Sequence, residues 1–182
     1  MLEKYIIEFC SPTLASIKSG NLFMYKHIGE DIEKNIEEIN FVLKDTGVTV
    51  ALLKNKNNKS LIYVYRRKKL EKELLDFKVA NFLKQNGYEN TNICYMINTL
   101  KSKLIESDLF PHEIGLFLGY PIEDVLGFIE HKGKKCKCNG CWKVYCNEQQ
   151  AEILFAKYNK CKKIYKNLWE QGRSITQLTV AV

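Results

Sequence analysis

Four cysteines, Cys136, Cys138, Cys141 and Cys146, fall in the short run KCKCNGCWKVYC. Cys138 and Cys141 are separated by two residues, Asn139-Gly140. Two thiolates held across a tight turn can grip one tetrahedral metal ion, zinc or another thiolate-bound metal. Such a site needs a second pair, and Cys136, Cys146 and Cys161 are the available donors. The same thiols could instead be an oxidisable pair, or incidental cysteines of a hairpin.

Two other groups carry chemistry. His112 and Glu113 offer an imidazole that titrates near neutral pH beside a carboxylate that can tune it. Neighbours in sequence need not face one another on a helix, so a capping or surface role competes with a catalytic one. Near the N-terminus, Cys10, Ser11, Lys18 and Asn21 make a polar group in which Cys10 is the nucleophile candidate and Lys18 the amine. No phosphate-cradling glycine loop and no nucleophile–base spacing accompanies either set.

Charge adds a fourth candidate. From Lys132 to Arg173 there are eleven Lys and Arg against three Glu, a net of +8, while the whole chain carries +7. A positive surplus confined to one quarter of the chain suits an anionic partner such as nucleic acid, or it is a solvated lysine-rich helix face. The residues predicted to meet the anion are Lys134, Lys135, Lys137, Lys143, Tyr145, Lys160 and Lys163.

The elements that would position these residues follow from periodicity. Ile32, Ile36, Ile39 and Leu43 define one helical face, and Ile93, Ile97, Leu100 and Leu104 another. Leu70, Leu74 and Phe77 open a stripe that ends at Gly87. Arg66 to Lys69 stand at its start, the wrong sign for a helix N-terminus, and are either solvated or bound to something. Val48–Leu53 and Ser60–Arg66 flank an Asn-rich loop at 55–59 and predict a β-hairpin. Ser11-Pro12 reads as a helix start. Pro111 and Pro121 open two short helices over 111–132, with Gly115 and Gly119 spaced as in a helix-turn-helix. Glu123 and Asp124 suit a helix N-terminus and not base edges, so the pair is read as packing.

Asn139-Gly140 predicts a second hairpin that sets Cys138 opposite Cys141, with Trp142 and Val144 sharing a face. A long helix from Asn147 carries Leu154, Tyr158, Cys161, Tyr165 and Leu168 on one stripe. The tail 175–182 alternates like an edge strand or frays.

The prediction is a single α+β domain over 1–182, with several amphipathic helices on a small, mainly antiparallel sheet built from two hairpins. No apolar run reaches the roughly 18 residues of a membrane span, and MLEKYIIEFC makes a poor signal peptide. A cytoplasmic protein without membrane contact is expected.

The runs PHEIGLFLGYPIEDVLGFIE and GCWKVY, with CSPTLASIKSGNLF and IYVYRRKKL, resemble a family of uncharacterised bacterial proteins common in anaerobes. The resemblance covers nearly the whole chain and implies a shared α+β domain and no particular activity. The family-like positions include Cys10, Lys18, Pro111, His112, Glu113, Gly115, Gly119, Tyr120, Asp124, Gly127, Trp142, Lys143 and Tyr145. Three functions therefore stand side by side: an anion-binding protein, a thiolate metal or redox accessory protein, and a small-ligand binder or enzyme using His112 and Glu113.

Overall fold

The computed structural model describes residues 1–107 and 109–181. Its centre is strand β3 (Lys59–Arg66), which pairs antiparallel with β1 (Gly20–Lys26) on one side and β2 (Val48–Lys56) on the other. Alternation along β3 sends Ile62 and Val64 to one face and Leu61, Tyr63 and Tyr65 to the other, and all five are buried. Both faces of the sheet are therefore covered by helices.

The first face meets α1 (Leu2–Leu14) and α2 (Ile32–Leu43), with the partly buried Tyr165, Leu168 and Trp169 of α8 (Glu148–Glu170) at its edge. The second face meets α3 (Arg67–Leu74), α4 (Phe77–Gln85), α5 (Ile93–Glu106), α6 (Ile114–Phe117) and α7 (Ile122–Glu130). A third, smaller cluster forms where β4 (Cys138–Asn139) and β5 (Lys143–Val144) lean on α8, through Trp142, Val144, Ala151 and Tyr158. The fold is α+β, with a three-stranded antiparallel sheet and a separate two-stranded one.

Several expectations hold. Ile32, Ile36, Ile39 and Leu43 are buried on α2, and Ile93, Ile97, Leu100 and Leu104 on α5. The β2–β3 hairpin exists, and its loop is shorter than 55–59: only Asn57 and Asn58 lie outside the ladder, at φ 53° and 58°. Paired positive φ values are the two-residue turn whose twist matches the strands, and asparagine tolerates them. The helical pair within 111–132 appears as α6 and α7.

Other expectations fail for identifiable reasons. Ser11-Pro12 does not open a helix, because α1 runs through it. Leu2, Ile6, Ile7, Cys10 and Leu14 form a buried stripe that outweighs one lost bond. That bond is to the carbonyl of Glu8, an exposed residue, and Ser11 Oγ donates back to Ile7 O. The stripe through Phe77 is two helices, not one: Asp76 caps α4 by accepting from the Lys78 and Val79 amides, and Phe77 is exposed.

Arg66 is neither solvated nor free for a ligand. It is 2% exposed, and its guanidinium donates to the carbonyls of Thr13 (2.6 Å), Thr46 (3.2 Å), Leu14 and Val180 (2.7 Å). It thereby ties the ends of α1 and of the chain to the sheet. The tail is not a strand over its described part, 175–181. Ile175 and Leu178 bury in a turn, and Val180 N donates to Leu14 O. Val182 lies outside the described residues.

The second hairpin has a different register from the one expected. Cys138 faces Val144 and Asn139 faces Lys143, which leaves Gly140, Cys141 and Trp142 as the connecting loop. Local turn chemistry favoured Asn-Gly as the two central residues. Tertiary packing decides otherwise, because a Cβ on Gly140 would lie 2.3 Å from the Phe155 ring of α8. Gly140 is where the loop touches the helix, and Trp142 is drawn into the cluster beneath, edge-on to Phe155 at 4.6 Å.

Candidate functional site

The residues of the 110–146 stretch converge. Asp124, third in α7, is 3% exposed and accepts three hydrogen bonds from the hairpin. Trp142 Nε1 donates at 2.7 Å, Tyr145 N at 2.7 Å and Cys146 N at 3.0 Å. A carboxylate in the first turn of a helix also suits the positive end of its dipole. Gly127, one turn on, presses against Tyr145, whose Cβ and Cγ would lie 2.6 Å from an added Cβ. Gly115 faces Val125 and Tyr120 in the same way, which lets α6 and α7 cross closely. The tyrosine, glycines and aspartate of the motif thus hold α7 and the hairpin as one unit.

This unit lines a half-open cavity of about 340 Å³. Its walls are largely apolar: Phe110, Pro111, Ile114, Val125, Phe128, Tyr120 and Trp142. Polar groups are few, and they include His112, Asn139, Cys141 and Lys143. Asp124 also lines it, but both its carboxylate oxygens accept hydrogen bonds from the hairpin. Lys143 Nζ donates to Gly133 O at 2.7 Å and lies 5.9 Å from the centre of the Phe128 ring. His112, exposed, packs at 5.4 Å against the same ring.

His112 and Glu113 diverge. Glu113 is 5% exposed and turns inward, where Lys103 Nζ reaches it at 2.6 Å and Tyr88 donates at 3.4 Å. Burial, then the Glu113 charge, holds the Tyr88 hydroxyl well above its ordinary pKa, so it remains a donor at neutral pH. That arrangement secures α6 to α5 and leaves Glu113 out of the cavity.

Cys10 and Lys18 end up in one neighbourhood. Cys10 is fully buried, and burial pushes its thiol far up despite the nearby Lys18 charge. It packs as a small apolar side chain. Lys18 is 6% exposed, and its Nζ lies 5.3 Å from the Tyr120 ring centre and 5.8 Å from that of Tyr158. Burial pulls its pKa down to about 8, while the neighbouring Cys141 and Cys10 sulfurs act the other way. The loop hydroxyl Ser19 Oγ and the Glu73 Oε2 of α3 are buried close by without hydrogen-bond partners among the described residues.

The four hairpin cysteines face different surroundings. Cys141 lines the cavity within electrostatic reach of Lys18. Cys146 lies against Asp124. Cys138 is grouped with Glu148 and Glu152 of α8, their ligand atoms all within 4.8 Å of one another, and it is the one such group of three among the described residues. Partial burial and those two carboxylates hold the Cys138 thiol above its usual pKa. One thiolate and two exposed carboxylates differ from the all-Cys and Cys/His sets of structural zinc.

The lysines divide by place. Lys134, Lys135 and Lys137 are exposed around the hairpin, with Lys137 Nζ donating to Cys146 O. Lys160 and Lys163 are exposed on the second half of α8, beyond Glu148 and Glu152. Tyr145 is partly buried and stacked on His131 at 5.7 Å. Sequence reasoning assigned no site role to Tyr120 or Phe128. The GYP turn was the only signal for Tyr120, and nothing in the sequence marks Phe128 as a cavity wall.

Fold and site together define an α+β protein whose second hairpin closes a small apolar cavity against a helical pair. The chain belongs to the family described as proteins of unknown function, DUF3793, whose model matches residues 6–179. No curated protein and no solved structure matches it. No helix among the described residues is long and apolar enough to cross a membrane.

Proposed function

We propose that this is a cytoplasmic small-ligand-binding protein that holds a flat, apolar-bodied molecule with an anionic group in the 340 Å³ cavity. The observation that carries this reading is the cavity itself, an apolar chamber with convergent polar groups walled by the residues of the sequence motif. Trp142, Tyr120 and Phe128 offer faces for an aromatic body. Lys143 is the cationic group for a carboxylate and His112 offers a ring N–H beside it, while the one lining acid, Asp124, is already saturated by three donors.

Titration with benzoate, read by Trp142 fluorescence against the Trp142→Phe variant, tests this reading. Saturable quenching that weakens in Lys143→Met supports it. No saturable change up to millimolar benzoate, with an equal absence of heat in calorimetry, overturns it.

A second reading keeps the anionic partner but enlarges it to nucleic acid. Its support is that Lys134, Lys135, Lys160 and Lys163 are exposed and make no ion pair among the described residues. That surface predicts binding to a labelled oligonucleotide that falls steeply with salt. Salt-independent or absent binding removes it and leaves the cavity reading untouched.

A further inference from the structure

Three lysines stand in one row across an end of the three-stranded sheet. Lys59, the first residue of β3, pairs in register with Lys26 of β1 on one side and with Lys56 of β2 on the other. Directly opposed residues of antiparallel strands point to the same face, with Cβ atoms roughly 5 Å apart. All three side chains are exposed, and none makes an ion pair among the described residues. Their neighbour Lys54 is committed elsewhere, its Nζ donating to Leu104 O at 2.7 Å and to Ser107 O at 3.3 Å. Glu33 shares another groove with Lys56 but makes no ion pair with it.

The row borders a surface groove of about 360 Å³ that Lys56 and Lys59 line. The apolar walls are Met24, Leu61, Leu104, Leu109 and Phe110, of which Met24, Leu109 and Phe110 are exposed. No acid lines this groove among the described residues. Phe110 is also a wall of the cavity described above.

We infer that this row binds a linear oligophosphate, free or carried on a molecule whose apolar body lies in the groove. The inference is independent of the cavity and of the lysines on α8. Its basis is the register. Like charges directly opposite one another destabilise a sheet, and Lys59 meets one on each side. Lysines on edge strands keep a sheet from pairing with other chains, which accounts for Lys26 on β1 and Lys56 on β2. It does not account for Lys59, because β3 is the central strand. A residue that breaks a local rule without a compensating contact is expected where function demands it. One anion with several charges relieves the repulsion of the whole row, whereas a single carboxylate relieves little of it. Lysines on flexible stems converge on phosphate oxygens as point charges, and such hydrogen bonds are charge-assisted.

The test is calorimetric titration of the whole folded chain with sodium tripolyphosphate and, in parallel, with ATP, both without magnesium and at fixed ionic strength. Saturable binding is expected, and Lys59→Thr should weaken it by about tenfold or more, the loss of one charge-assisted contact. Without any oligophosphate and at low salt, Lys59→Thr should unfold at a higher urea concentration than the native chain, because two like-charge contacts are gone. ATP binding more tightly than tripolyphosphate assigns the groove to the apolar body. Equal affinities assign the row to the free oligophosphate. No saturable heat up to about 1 mM of either probe overturns the inference. So does a Lys59→Thr affinity within about twofold of the native one. An equal loss in the Lys160→Gln, Lys163→Gln double variant also overturns it, since the anion would then be drawn by the positive chain as a whole. A lower urea midpoint for Lys59→Thr shows that the row is not strained and removes the inference with it.

Discussion

Removing the Asp124 carboxylate is the perturbation with the clearest magnitude. In Asp124→Ala three donors lose their acceptor: Trp142 Nε1, Tyr145 N and Cys146 N, at 2.7, 2.7 and 3.0 Å. An unsatisfied buried donor costs about 1–3 kcal/mol, more where the lost partner was charged. Tyr145 and Cys146 are only partly buried, so water can recover part of that loss. Trp142, at 7% exposure, cannot recover so easily. The expected destabilisation is therefore about 3–5 kcal/mol, the range for breaking a buried charge-assisted arrangement.

The loss should also be local. The hairpin belongs to the third cluster and not to either sheet face, so its detachment need not unfold β3. Urea denaturation followed by circular dichroism gives the global value, and hydrogen exchange gives the local one. Amides of Tyr145 and Cys146 should exchange faster while those of Ile62 to Val64 stay protected. Glu123→Ala is the control. Its carboxylate is exposed and reaches Lys78 at only 3.6 Å, so about 0.5 kcal/mol or less is at stake. An Asp124→Ala loss below about 1 kcal/mol, with unchanged exchange at Tyr145 and Cys146, would refute the claim that this carboxylate holds the hairpin.

Other outcomes follow from single contacts. Gly127→Ala should lower stability by about 1–3 kcal/mol in thermal melts, since the new methyl meets Tyr145 at 2.6 Å with both partners on packed elements. Glu113→Gln should destabilise by about 1–3 kcal/mol at pH 7, because Lys103, partly exposed, would keep a charge without its 2.6 Å partner; an unchanged urea midpoint would count against the pair. Lys18→Met should be more stable than the native chain at pH 7. The folded-state pKa of Lys18, about 8, lies below its unfolded value, so its protonated form penalises folding below that range. The penalty fades as pH rises from about 8 towards 10.5, and the gap between the two proteins should narrow over that window in denaturation at matched pH.

The sequence by itself determined most of the scaffold. The buried stripes of α2 and α5 repeat every three to four residues, and the Asn57-Asn58 turn joins alternating strands. These are local signals, because side-chain direction along a helix or strand is set by backbone periodicity alone. Local signals also misled where a distant partner competed with them. Pro12 sits inside α1 because the sheet needs the stripe that passes through it, and Asn139-Gly140 is not the turn centre because Phe155 claims Gly140.

The cavity and the residues that meet in it were decided only by the tertiary structure. Phe110 and Trp142, both walls of the cavity, are 32 positions apart in sequence, and no spacing rule relates them. His112 and Glu113 are adjacent, yet one faces the chamber and the other is buried against Lys103. The physical reason is the same in both cases. A site is made by the directions in which packed elements aim their side chains, and those directions depend on which helix covers which face of the sheet.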